Sequence, residues 1–258
     1  MEPPRATSRT VISRVVTALV MVVATAALVA HGEADAARRG TLLVIGDSLT
    51  VGAASMGGFS PRLRSLATWD DVVIDARVGR SARAGAGVVA RRLADTDDVT
   101  ALVVALGTND MAGYRDSAYA RWLIDEVMSR ARRLPVLWIN LEYASTPRPD
   151  RKPRGVRFNT QLERATKRWP KLIVSDWNGW FTPRGGSRFV ADGMHLTSTG
   201  YRARSSFMVA EIARLARWIE TGGTTTTTTI ATTSTTTSST TTTVPPSTTI
   251  TPDSTTTT

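Results

Sequence analysis

Five short apolar runs recur through the middle of the chain: Leu42 to Ile45, Val72 to Ile74, Leu102 to Leu106, Val136 to Leu141 and Leu172 to Val174. Each is rich in Val, Leu and Ile and nearly continuous, without the alternation of a half-exposed strand. That is the pattern of strands covered on both faces. Between the runs, apolar positions take helical spacing. The clearest case is Tyr119 to Leu134, where Trp122, Ile124, Val127 and Leu134 stand among Arg and Asp. A last amphipathic helix is predicted from Ser198 or Thr199 to Ile219, with Phe207, Val209, Ile212, Leu215 and Trp218 on its apolar side. Strand and helix in alternation predict an α/β domain: a parallel sheet covered on both sides and joined by right-handed crossovers. Neither an internal repeat nor a second domain is visible.

Both ends depart from this pattern. Arg5, Arg9 and Arg14 precede an apolar run from Val15 to Ala30, and Ala34-Asp35-Ala36 follows. A basic start, an apolar core and an A-x-A site are the parts of a secretory signal peptide. The expectation is a leader over 1–36, cleaved after Ala36, with no stable membrane span afterwards and an extracytoplasmic product, secreted or held at the cell surface. An uncleaved N-terminal anchor is the alternative. From residue 221 to 258 the chain is dominated by Thr and Ser with scattered Pro, and has no Lys, Arg or aromatic residue. Such a segment cannot bury enough apolar surface to offset its chain entropy, and it reads as a disordered stalk or spacer, glycosylated or bare. The folded domain is therefore expected over 37–220.

Composition narrows the chemistry. Of 258 residues, none is Cys and two are His. This excludes a thiol nucleophile, a disulfide framework, a thiolate zinc site and a multi-histidine metal centre. Seven Trp and a 41% apolar content are ample for a core. Once both ends are removed, 29 basic residues face 18 acidic ones. This surface favours anionic partners such as wall polymers or lipid headgroups. Nucleic acid is not expected, because no binding motif accompanies the charge and the export signal opposes it.

Open parallel sheets bind ligands beyond the carboxyl ends of their strands, where the strand order reverses. Gly46-Asp47-Ser48-Leu49 follows the first run, Val78-Gly79-Arg80 the second and Gly107-Thr108-Asn109-Asp110 the third. In a sheet of order 2-1-3-4-5 these three loops meet at one crevice. A serine hydroxyl needs a base within hydrogen-bond reach. Outside the leader the chain has one imidazole, His195, three residues after Asp192. In a turn or a first helical turn that spacing sets the carboxylate beside the ring, where it can orient the tautomer. The stretch Trp177 to Met194 reads as a loop, long enough to carry His195 back from the fifth strand. Each residue also has a plainer use. Asp47 can cap a helix, Gly79 can be a simple turn, and Asn109 can bond local backbone. Trp177, Trp180 and Phe181 could hold a sugar ring or acyl chain, or simply pack.

GDSLT at 46–50, Gly79, GTND at 107–110 and DGMH at 192–195 resemble, in order and spacing, the four blocks of the SGNH/GDSL hydrolase family. The resemblance spans roughly 40–218. It implies a flavodoxin-like three-layer sandwich with a five-stranded parallel sheet of order 2-1-3-4-5, and ester hydrolysis without metal or cofactor. It further implies Ser48 as nucleophile, His195 as base then acid, and Asp192 as its orienting partner. The oxyanion hole would be the N–H groups of Ser48 and Gly79 with the side-chain amide of Asn109. The second block, DARVGRSA, lacks the further glycines many members carry. That stretch and VADGMHLTSTGY are also similar to SGNH domains attached to membrane acyltransferases of cell-surface sugars.

The expected activity is therefore a secreted serine esterase acting on short O-acyl esters of carbohydrate or lipid through an acyl-serine, with an anionic cell-wall polymer as a further partner. An O-acetyltransferase of cell-surface glycans and a non-catalytic wall-binding module are the alternatives. Exported protein should begin at Ala37 on N-terminal sequencing; a start at Met1 would instead identify an anchor.

Overall fold

The computed structural model describes residues 40–185 and 188–223. The proposed leader and the Thr-rich segment lie outside these residues. Five strands, β1 (Thr41–Gly46), β2 (Asp71–Ala76), β3 (Val99–Ala105), β4 (Val136–Ile139) and β5 (Leu172–Ser175), form one sheet. Their order is β2-β1-β3-β4-β5 and every pairing is parallel. The helices are α1 (Ser48–Met56), α2 (Phe59–Arg64), α3 (Ala82–Asp95), α4 (Ser117–Ala131), α5 (Arg151–Ala165), α6 (Trp177–Gly185) and α7 (Ser198–Glu220), with a short 3-10 turn at Asn109–Ala112.

The continuous apolar runs have a direct structural cause. Successive side chains on a strand point to opposite faces. Leu43, Ile45, Leu102 and Val104 enter one core with α3, α4 and α5. Leu42, Val44, Ala101 and Val103 enter a second core with α1, α2, α6 and α7. All six residues of β1 are buried. The result is the expected three-layer sandwich. In α4 the buried residues Ala120, Leu123, Ile124, Val127, Met128 and Ala131 recur every three or four positions, so one stripe faces the sheet. Trp138 of β4 is fully buried, and its indole N–H donates to the Leu106 carbonyl at 3.1 Å, so its one polar atom is satisfied.

Several boundaries differ from the sequence reading. Helix α4 starts at Ser117, where the Asp116 carboxylate accepts from the Tyr119 N–H at 2.7 Å, and it stops at Ala131 instead of Leu134. Arg132 takes φ 56° and leaves the helical path, and Pro135 disfavours helical backbone at Leu134, so the helix does not resume. Strand β3 begins at Val99, and β4 ends at Ile139, before Leu141. The stretch Trp177 to Met194 is not wholly a loop, since its first half is helix α6. Among the described residues, no helix is long and apolar enough to cross a membrane.

Leu123 is fully buried between α4 and the sheet, whereas Met56 is about half exposed. Leu123→Ala should cost about 2–5 kcal/mol, read from the urea midpoint, and Met56→Ala under about 1 kcal/mol.

Candidate active site

Strand β1 hands over to α1 in a turn with no spare room. A Cβ on Gly46 would lie 2.2 Å from the Thr50 hydroxyl oxygen, so this position needs glycine. Asp47 is the N-cap: its carboxylate accepts from the Leu49 N–H at 2.9 Å. Ser48 is then the first residue of α1, nearly buried but reachable at the carboxyl edge of the sheet.

His195 arrives from the far side of the same layer. The segment 188–197 folds back on itself, with Phe189 bridging Leu196 and the Val190 N–H donating to the His195 carbonyl. Gly193, at φ 69°, makes the turn, and a Cβ there would lie 2.2 Å from the Thr146 carbonyl. Within the turn one Asp192 oxygen accepts the N–H groups of Met194 and His195 at 2.9 and 2.8 Å. Its other oxygen meets His195 Nδ1 at 2.5 Å. His195 Nε2 meets Ser48 Oγ at 2.8 Å. Carboxylate, imidazole and hydroxyl thus form one hydrogen-bonded relay. Burial pushes the Asp192 carboxyl up, but the His195 ring and the two backbone N–H groups outweigh it and hold it below the usual range. It stays ionised and fixes the ring's orientation.

Close packing of α1 on α7 sets the Ser48–His195 distance. Gly52 has no side chain where the Tyr201 ring passes, and a Cβ there would lie 2.2 Å from it. The Ser205 hydroxyl donates to the Ala53 carbonyl at 3.1 Å. Thr197 caps α7 by accepting from the Gly200 N–H. The helix is therefore fixed two residues after His195.

Gly79 and Asn109 follow β2 and β3, the neighbours of β1. Gly79 has φ 75°, and its N–H has no acceptor among the described residues. The Asn109 amide donates to the Arg80 carbonyl at 3.1 Å, which leaves its second N–H for another acceptor. The Asp110 carboxylate accepts from the Ala82 N–H at 2.8 Å, so the two loops are tied together at two points. The structure gathers Ser48, Asp192 and His195 in direct contact and brings Gly79 and Asn109 to the same edge. Trp177 and Phe181 go elsewhere: both are buried and packed with Phe207 in the core, so they do not wall the site.

Sequence reasoning missed the charges beneath the serine. Arg204 of α7 is buried, with its guanidinium over the Trp177 ring at 5.1 Å. Burial lowers its pKa to about 10, while the Asp47 charge pulls it back up. Burial likewise pushes the Asp47 carboxyl up, and Arg204 and the Leu49 N–H oppose that shift. Arg204 was findable, since it falls on the same stripe as Tyr201, Ser205 and Met208, a charge where helical spacing calls for core. Among the described residues, no cluster of His, Asp and Glu is placed to hold a metal ion.

Burial raises the Asp110 carboxyl from 3.8 to about 6, against the N–H bonds it accepts. The folded state thus holds this proton more tightly than the unfolded state. The stability it contributes is full below pH 3.8 and is lost as pH rises through about 6. Asp110→Asn should therefore gain on wild type between pH 4 and 7, by on the order of 2 kcal/mol, in paired urea titrations.

In fold, the chain is similar to TesA, with 21% identity over 68% of this chain and 99% of that one and a TM-score of 0.56. It is similar to a member of the lipolytic protein G-D-S-L family from Veillonella parvula, at 18% identity, covering 68% and 99%, with a TM-score of 0.57. It also matches the C-terminal catalytic domain of peptidoglycan O-acetyltransferase A from Streptococcus pneumoniae, carrying a methylsulfonyl adduct, at 15% identity, 72% and 96% coverage and a TM-score of 0.56. No curated protein sequence matches the chain. The model of the GDSL-like lipase/acylhydrolase family matches residues 44–203, which takes in the serine turn, both neighbouring loops and the Asp-His turn, and the chain belongs to that family.

Proposed function

We propose that this acylhydrolase is an exported serine esterase that removes short O-acyl groups from carbohydrate or lipid. The relay from Asp192 through His195 to Ser48 carries the reading. In the first step Ser48 Oγ attacks the ester carbonyl carbon while its proton passes to His195 Nε2. The carbonyl π pair moves onto oxygen, where the N–H groups of Ser48 and Gly79 and the Asn109 amide supply donors. Donors of this kind are worth about 2.7–4 kcal/mol each. When the C–O bond to the alcohol breaks, the imidazolium returns the proton to the departing oxygen, leaving acyl-Ser48. Water then attacks the acyl carbon, His195 takes its proton and gives it to Ser48 Oγ, and the carboxylic acid leaves. Asp192 stays ionised throughout and stabilises the imidazolium.

A sugar hydroxyl in place of water in the second half gives acyl transfer. The fold shared with the pneumococcal O-acetyltransferase domain is consistent with that variant. Products analysed with and without an acceptor sugar separate the two. A pure wall-binding module has no use for a three-group proton relay.

A fluorophosphonate probe should label wild type but not Ser48→Ala. His195→Ala should lower kcat on a nitrophenyl acetate by at least about a thousandfold. Equal labelling of wild type and Ser48→Ala would overturn the assignment.

A further inference from the structure

Beside Gly79 lies an open groove of about 690 Å³, bordered by the β2–α3 loop and the first three turns of α3. Five arginines lie between positions 77 and 92, and Arg77, Arg80, Arg83 and Arg91 line the groove while Arg92 does not. Their neutralisation is uneven. Asp75 takes two of them, Arg80 at 2.6 Å and Arg92 at 2.8 Å. Both guanidinium groups hold its carboxyl below the usual range despite its partial burial. Arg77, Arg83 and Arg91 are exposed, line the groove and have no carboxylate partner among the described residues. The groove floor is bare at Gly79, where an added Cβ would meet nothing within 4 Å.

Three like charges around one concavity repel each other, and an anion entering it relieves that repulsion. The groove also continues onto an aromatic surface. The Arg83 guanidinium lies over the Trp122 ring at 5.8 Å, and that indole is 41% exposed. Tyr119 sits 5.8 Å from Trp122, with Arg115 over its ring at 4.8 Å. An exposed indole beside a half-buried phenol ring, interleaved with guanidinium groups, suits pyranose rings bearing negative charge. An acyl chain requires an enclosed apolar slot, and this groove is open and edged with charge.

We infer that the groove binds the alcohol part of the substrate and that this part is a polyanionic glycan, charged through carboxylates or phosphodiesters. The inference rests on the esterase reading: an ester whose carbonyl oxygen reaches the Gly79 N–H has one end in the groove. Arg77, Arg83 and Arg91 then determine specificity and take no part in bond making.

The test compares O-acetylated oligogalacturonate, an O-acetylated poly(glycosyl phosphate), an equally acetylated neutral xylo-oligosaccharide and a lysophospholipid. Wild type should favour at least one charged polymer over the neutral one by about tenfold in kcat/KM, and 0.5 M NaCl (about 4 Å of screening length) should erase the preference. The two polymers distinguish carboxylate from phosphodiester. Arg77→Gln/Arg83→Gln/Arg91→Gln should lose the preference and keep nitrophenyl acetate turnover. Equal rates on charged and neutral glycans, a preference that survives the triple substitution, or a preference for the lysophospholipid would overturn the inference. Should wild type hydrolyse no ester, the esterase reading fails. Titration of unacetylated oligogalacturonate and poly(glycosyl phosphate) into wild type and the triple variant then decides the groove, with an affinity loss of about tenfold expected for one of them and equal binding refuting it.

Discussion

A sheet whose strands all run the same way has a single edge at which every strand passes its chain to a helix. The rest of this molecule depends on that constraint. Parallel pairing forces each connection to return along the outside, and the return segments become the helices that bury both faces. With β1 between β2 and β3, the first three handovers fall side by side. Ser48, Gly79 and Asn109 therefore share one edge without any long-range pairing between their side chains. The energy that places them is the burial of β1 and its neighbours, far larger than any contact within the site.

His195 has no such guarantee. It follows the last strand and a helix, and it reaches Ser48 only because α7 lies close against α1. Glycine at position 52 admits the Tyr201 ring, and Ser205 bonds back to α1. The same helix carries Arg204 beneath the serine turn, opposing the buried Asp47 that caps α1. Burial shifts each of the two groups toward its neutral form, and the field of the other opposes that shift. The Asp47 cap and the Ser48–His195 contact are thus coupled through two helices and a few side chains.

Charge is distributed just as selectively on the β2 side. One carboxylate, Asp75, is shared by Arg80 and Arg92, and through Arg80 it also braces the end of β1, whose Gly46 carbonyl accepts from that guanidinium at 3.2 Å. The arginines left over face solvent in the groove. On this side of the sheet the basic residues divide into two arginines that hold loops and three that face solvent.

What could be read from the residues alone was whatever depends on local spacing. Continuous apolar runs marked strands covered twice, a period of three to four marked α4 and α7, and the turns Gly46-Asp47-Ser48 and Asp192-Gly193-Met194-His195 carried their own caps and hydrogen bonds. Helix α6 was hidden because Pro183 and two glycines blur its pattern. What only the tertiary structure decided were the pairings across long separations: His195 with Ser48, Arg204 beneath Asp47, Asp110 with Ala82, and Asp75 choosing two of five nearby arginines. Spacing along a chain shows which face a residue takes. Which distant charge it meets depends on how closely two layers pack, and that follows from the volumes of every side chain between them.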